Sequence, residues 1–159
     1  MTDAFGAPRD DIYRACQIPD DLWYDVPSDV WLRPEADGTV TLGMTDPAQT
    51  RSGKLVHIQF KRVGRHLDAG QSVATVETAK WVGPFPSPVP ATIVETNEVG
   101  FGRDILVANR DPYGAGWLAR ISPDGWDPAA AGLLTGADAF SAYRERIDEL
   151  DVSCLRCAD

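Results

Sequence analysis

Hydrophobic and polar positions alternate with a period of two through short runs of the chain between Trp23 and Ile121. Val30-Trp-Leu32 and Thr39-Val-Thr-Leu42 flank Asp37-Gly38, a dipeptide that tolerates the backbone angles of a tight hairpin, so the two runs are expected to pair. Lys54–Phe60 also alternates, which predicts a strand with Leu55, His57 and Gln59 on one face and Val56, Ile58 and Phe60 on the other. Gln71–Thr78 and Ala91–Thr96 read as further strands, and their near-identical Ala-Thr-Val-Glu-Thr and Ala-Thr-Ile-Val-Glu-Thr segments suggest two similar halves of a sandwich. Between them Pro84, Pro86, Pro88 and Pro90 each lack a backbone donor, so 84–90 is expected to be a stiff loop outside regular pairing. After Pro123 the period changes. Phe140, Tyr143, Ile147 and Leu150 step by three and four, predicting a helix over 137–150, and Cys154 and Cys157 extend the same stripe. Residues 1–20 are polar and are expected to form a loose arm or short helix.

Composition limits what such a chain does. Its 159 residues, 43% of them hydrophobic, suit one core. A net charge of −9 argues against nucleic acid, because a phosphate backbone favours a basic face. No apolar run reaches the roughly 18–20 residues that span a bilayer. Met1–Asp11 is acidic with no apolar stretch, and Cys16, Cys154 and Cys157 are too few and too uneven for a disulfide framework, so a soluble cytoplasmic protein is expected. His57 and His66 lack the spacing of a metal pair, and no nucleophile elbow or phosphate loop occurs. The pattern favours a carrier or binding module over a free-standing enzyme.

Four segments carry a family resemblance. Leu42-Gly-Met-Thr-Asp-Pro-Ala-Gln49, Gly53-Lys-Leu-Val-His57, Val76-Glu-Thr-Ala-Lys-Trp81 and Asp111-Pro-Tyr-Gly-Ala-Gly-Trp-Leu118 resemble, in order and spacing, the H-protein of the glycine cleavage system across residues 18–150. The resemblance implies a mainly β fold, the flattened β-sandwich (hammerhead) of lipoyl and biotinyl carriers with a short C-terminal helix. It divides the chain into an arm (1–20), a carrier sandwich (21–122) and a helical cap with a Cys-x-x-Cys tail (123–159). It further implies lipoic acid joined by an amide to Lys80, with Glu77 and Trp81 as flanking recognition residues, installed by a lipoate ligase or lipoyl transferase. Biotin carriers usually place Met beside the lysine, whereas Ala79 and Trp81 stand here. A carrier lysine needs an exposed turn between strands, and Lys80 lies between two strand-like runs with Gly83 and the prolines behind it. The plainer alternative is a solvated surface lysine. Chemistry would reside in the cofactor, not in the protein.

The cargo is a separate question. Glycine-cleavage carriers shelter a cationic aminomethyl group among polar and acidic side chains, and the resemblance maps four such cleft positions onto Ser28, Val30, Arg51 and Pro84. Only Ser28 keeps the expected polarity. An arginine repels an ammonium and a valine offers it nothing. Residues 51–66 add Lys54, Lys61, Arg62 and Arg65 without an acid, a local field that would favour an anionic sulfur. Trp81-Val-Gly-Pro-Phe-Pro86 is similar to the lipoate-binding proteins of the heterodisulfide-reductase-like system. That likeness implies an arm carrying sulfane sulfur between sulfur-donor proteins and a cytoplasmic heterodisulfide-reductase-like complex, a reading the cleft positions favour over aminomethyl transfer among glycine cleavage enzymes. Cys154-Leu-Arg-Cys157 is either a redox pair or two more members of the helix stripe. An unlipoylated interaction module is a further alternative. A monomer without nucleic-acid or membrane partners is expected, since ligase and client must both reach the arm.

Overall fold

A computed structural model describes residues 10–158. A small hairpin, β1 (Ile12–Tyr13) and β2 (Cys16–Gln17), precedes two antiparallel sheets. The larger sheet has seven strands in the order β12-β3-β4-β5-β11-β10-β7: β3 (Trp23–Asp25), β4 (Val30–Pro34), β5 (Val40–Met44), β7 (His66–Leu67), β10 (Ala91–Thr96), β11 (Ala119–Pro123) and β12 (Leu134–Thr135). The smaller has three in the order β6-β8-β9: β6 (Leu55–Phe60), β8 (Ser72–Thr78) and β9 (Val82–Pro86). Helices α1 (Asp46–Ser52), α2 (Glu98–Arg103) and α3 (Val107–Arg110) are short, and α4 (Gly136–Glu149) is the terminal helix. The mainly β architecture with a C-terminal helix agrees with the sequence reading, and the Asp37-Gly38 hairpin joins β4 to β5 with Leu32 opposite Leu42.

Two apolar clusters hold these layers together. The first lies between the sheets, where Leu32, Val40 and Leu42 from one meet Val73, Val76 and Phe85 from the other. The second lies under α4, where Tyr143 and Ile147 cover Tyr24, Trp31, Ile18 and Cys16. Full burial of Ile147 contributes roughly 1.5–3 kcal/mol. The 3.6 period read from Phe140, Tyr143 and Ile147 is therefore a packing stripe, with Phe140 half-buried at its edge. The two echoing segments sit on β8 and β10, one in each sheet.

Four expectations change. The prolines do not exclude pairing: Pro84 and Pro86 lie on β9, opposite Thr75 and Ser72, because β9 is an edge strand and a proline nitrogen turned to the open side removes no ladder bond. The alternation along β6 breaks at a bulge between Leu55 and His57. Leu55 is buried, Val56 is exposed, and Ile58 and Phe60 recover partial burial. The N-terminal stretch from Ile12 is a hairpin with Cys16 and Ile18 buried, not a loose arm; residues 1–9 of that expected arm lie outside the described residues.

The cysteines change most. Cys16 and Cys154 form a disulfide across 138 residues of chain, which neither the redox pairing of Cys154 with Cys157 nor the helix-stripe reading anticipated. Helix α4 ends at Glu149, and the chain turns through Asp151 at φ 51°. Cys154 then lies against the N-terminal hairpin, where its N–H donates to the Arg14 carbonyl at 3.1 Å. Cys157 is the free thiol. Cys16→Ser/Cys154→Ser is expected to lose about 3 kcal/mol of stability, read as a lower denaturant midpoint, because the cross-link closes a long loop in the unfolded chain.

Candidate functional site

Lys80 occupies a two-residue loop. Strands β8 and β9 are adjacent and antiparallel, and the Thr78 N–H closes their ladder on the Trp81 carbonyl at 2.7 Å, leaving only Ala79 and Lys80 outside it. Thr78 is buried, and its hydroxyl accepts from the Lys80 N–H at 3.2 Å, so the loop is fastened from below while both loop residues are exposed. The lysine stem lies against Gly53, which terminates α1 at φ 78°, with Cε 3.7 Å from where a Cβ would stand. A side chain there would be strained by the positive φ, while the stem would meet it at ordinary van der Waals distance. Trp81 folds back over Gly83; a Cβ on Gly83 would overlap the indole, so glycine sets where this ring can rest.

Beside the loop is an open cleft of about 520 Å³ between α1 and β9. Ser28, Arg51, Trp81 and Pro84 line it, with Asp29, Met44 and Phe85. Three of the four proposed cleft positions thus meet. The fourth does not: Val30 is fully buried in the inter-sheet core, opposite Met44, which lines the cleft in its place. Glu77 is exposed on β8 and absent from the cleft lining. Of the basic segment, Arg51 reaches the cleft. Lys61, Arg62 and Arg65 follow the far end of β6, since Phe60 pairs with Ala74 whereas Leu55 pairs with Thr78 beside the loop.

Asp29 is the residue that sequence reasoning missed. It precedes β4 at φ 57°, a left-handed conformation that Asp tolerates better than most residues. Its carboxylate accepts from Arg146 Nε and NH2 at 3.0 and 2.9 Å and from the Tyr143 hydroxyl at 3.2 Å, both on α4. Burial pushes the Tyr143 hydroxyl well above its ordinary pKa, keeping it a neutral donor, and the hydrogen bond to Asp29 raises that of Arg146. Arg51 completes the group at 3.6 Å, a looser contact from a side chain 43% exposed, where Asp29 is 8% exposed. Asp29 faces two guanidiniums, and the neighbouring Ser28 hydroxyl donates to a second carboxylate, Asp25, at 2.5 Å. A lone Asp beside Ser28 reads as a turn residue, and its distant partners are invisible to local spacing; the signal available was an Asp immediately before an apolar strand.

The description "Glycine cleavage H-protein" belongs to a family model that matches residues 22–146. The chain belongs to the glycine cleavage H-protein family. It is 42% identical over 142 residues to glycine cleavage system H protein 2 of Aquifex aeolicus, spanning 89% of this chain and 88% of that protein. A probable glycine cleavage system H protein 2 of Sulfolobus acidocaldarius is 38% identical over 143 residues, 89% of this chain and 95% of that one. Among solved structures, a glycine cleavage system H protein from Mycobacterium marinum superposes with a TM-score of 0.66 at 34% identity, covering 80% of this chain and 99% of that one. Members of this family are lipoyl carriers rather than catalysts, with lipoate attached covalently to a lysine. The two-residue loop fits that group: an exposed primary amine on a fastened turn can be acylated without disturbing the fold, and the adjoining cleft can receive the arm. Among the described residues no helix is long and apolar enough to cross a membrane.

The geometry separates the two arginines. Arg146→Ala is expected to cost about 3 kcal/mol, because it strands a buried carboxylate. Arg51→Ala removes an exposed, loose ion pair and is expected to cost under about 1 kcal/mol. Equilibrium denaturation of both variants checks the ranking.

Proposed function

We propose that Lys80 is the lipoyl attachment residue and that this chain is a mobile shuttle, loaded at one enzyme and unloaded at another. Of the three lysines, Lys80 alone sits at the tip of a tight hairpin beside a cleft; Lys54 follows α1, and Lys61 follows β6. That placement is the observation that carries the reading.

For the cargo, aminomethyl transfer among glycine cleavage enzymes has the better support. The relatives described above are named for that system. The cleft also holds the acid that its sequence seemed to lack. Asp29 offers a carboxylate whose third partner, Arg51, is held loosely enough for a cargo ammonium to take its place. In this reading Ser28 and Asp29 orient the amine, while Trp81 and Phe85 exclude water from the stem.

A second reading, sulfane sulfur passed to a heterodisulfide-reductase-like complex, keeps one observation in its favour. With Asp29 already neutralised by Arg146, an ammonium about 4 Å from Arg51 would face roughly 4 kcal/mol of repulsion at the effective dielectric of a protein surface, whereas an anionic sulfur would be attracted. Three numbered H proteins from Aquifex aeolicus are similar to this chain, which leaves room for carriers of different cargo in one cell. A monomeric state accompanies either reading, while the cytoplasmic residence expected from the cysteine count loses that support, because Cys16 and Cys154 are cross-linked.

Arg51→Gln separates them. The aminomethyl reading expects loading by glycine decarboxylase to be unchanged or raised a few-fold. The sulfur reading expects persulfide-derived sulfur on the protein to fall about tenfold while the wild type accepts no aminomethyl. Intact mass of protein from its own host comes first. One lipoyl amide, mapped to the Lys80 peptide and absent from Lys80→Arg, is the expected result; a bare Lys80 would overturn the shuttle itself.

A further inference from the structure

A second depression adjoins Gly53, against which the Lys80 stem lies. It holds about 590 Å³, and the end of α1 is the ridge between the two: Ser52 lines the cleft, and Gly53 lines this cavity. The Lys80 stem rests on Gly53, so an arm leaving Lys80 can turn either way.

The outer wall of this cavity is the tail after α4. Its position is fixed by contacts at nearly every residue. Cys154 is cross-linked to Cys16. The Leu155 carbonyl accepts from Gln49 Nε2 at 2.7 Å, and its N–H donates to Thr50 Oγ1 at 3.2 Å. Arg156 pairs with buried Asp46 at 3.2 Å, and the Cys157 N–H donates to the Asn109 carbonyl at 2.9 Å. The floor is tied to the connection between α1 and β6 as well: Asn109 accepts from the Leu55 N–H and donates to the Gly53 carbonyl at 3.1 and 3.0 Å. The interior presents Leu106 and the half-buried Cys157 thiol, with Lys54, Arg110 and Arg156 among its lining. None of this wall falls within residues 22–146, where the family description applies.

We infer that this cavity is a second berth for the chain's own lipoyl arm, holding the unloaded arm away from the cargo cleft. The inference rests on Lys80 being the attachment residue. A long apolar arm ending in a compact sulfur ring suits a cavity with leucine and thiol surface, and the base of the arm already lies on its rim. Tail and disulfide thereby acquire a purpose: they build a wall that would be lost if residues 153–158 hung free.

The disulfide makes a clean assay possible, since Cys157 is the free thiol of the described chain. Protein is prepared lipoylated with the ring oxidised, and unlipoylated, each confirmed by intact mass. Alkylation of Cys157 by iodoacetamide is expected to be at least fivefold slower in the lipoylated form, with Lys80→Arg reacting at the unlipoylated rate. Methyl resonances of Leu106 and Leu155 are expected to shift on lipoylation. Equal alkylation rates together with unmoved methyls in protein of confirmed lipoyl mass would overturn the berth while leaving the shuttle reading intact. Absence of the lipoyl mass would overturn both.

Discussion

The buried carboxylate of Asp29 is the interaction on which much of this architecture depends. It lies where β4 begins, takes its hydrogen bonds from α4, and faces Arg51 at the end of α1. One side chain therefore couples the terminal helix, the large sheet and the wall of the cleft. A buried charge is costly unless it is paired. Here Arg146 and Tyr143 satisfy it structurally, which leaves Arg51 free to respond to whatever enters the cleft. The packing of α4 and the lining of the cleft meet at one carboxylate.

Much of the fold was legible because its determinants are local. Asp37-Gly38 marks a hairpin, period-two runs mark strands, and Phe140, Tyr143 and Ile147 mark one helix face, all within windows shorter than fifteen residues. What the sequence hid depends on distant partners. Asp29 finds Arg146 at a separation of 117 residues, and Cys16 finds Cys154 at 138. The prolines misled for a different reason: whether a missing donor matters depends on which edge of a sheet a strand occupies, and that is a property of the assembled sheet. The bulge in β6 likewise exchanges faces between neighbouring residues without any change in the pattern of residue types. Of the site, the hairpin lysine and three cleft positions were readable from motifs. Val30 was not, because which strand residue faces the inter-sheet core and which faces the cleft is decided by the assembled sheets.

The family model and the two ends of the chain occupy different parts of it. Residues 22–146 contain the hairpin lysine, the cleft and the sheets. The flanking segments contribute the β1–β2 hairpin, Cys16, and the tail from Ile147 onward, and they are joined to one another rather than only to the core. Arg14 on the hairpin meets Asp151 at 2.7 Å, and Tyr13 donates to Asp148. The two ends of the chain thus form one layer over the second apolar cluster.

The position of Pro84 and Pro86 on β9 has a consequence for life in solution. An exposed sheet margin is a template on which a second chain can add its own strand, and the margin here adjoins the Ala79–Lys80 loop. Two residues without amide hydrogens interrupt that template. Copies of the protein are thereby discouraged from zipping together along this side, and the exposed hairpin loop stays uncovered even when the carrier is abundant.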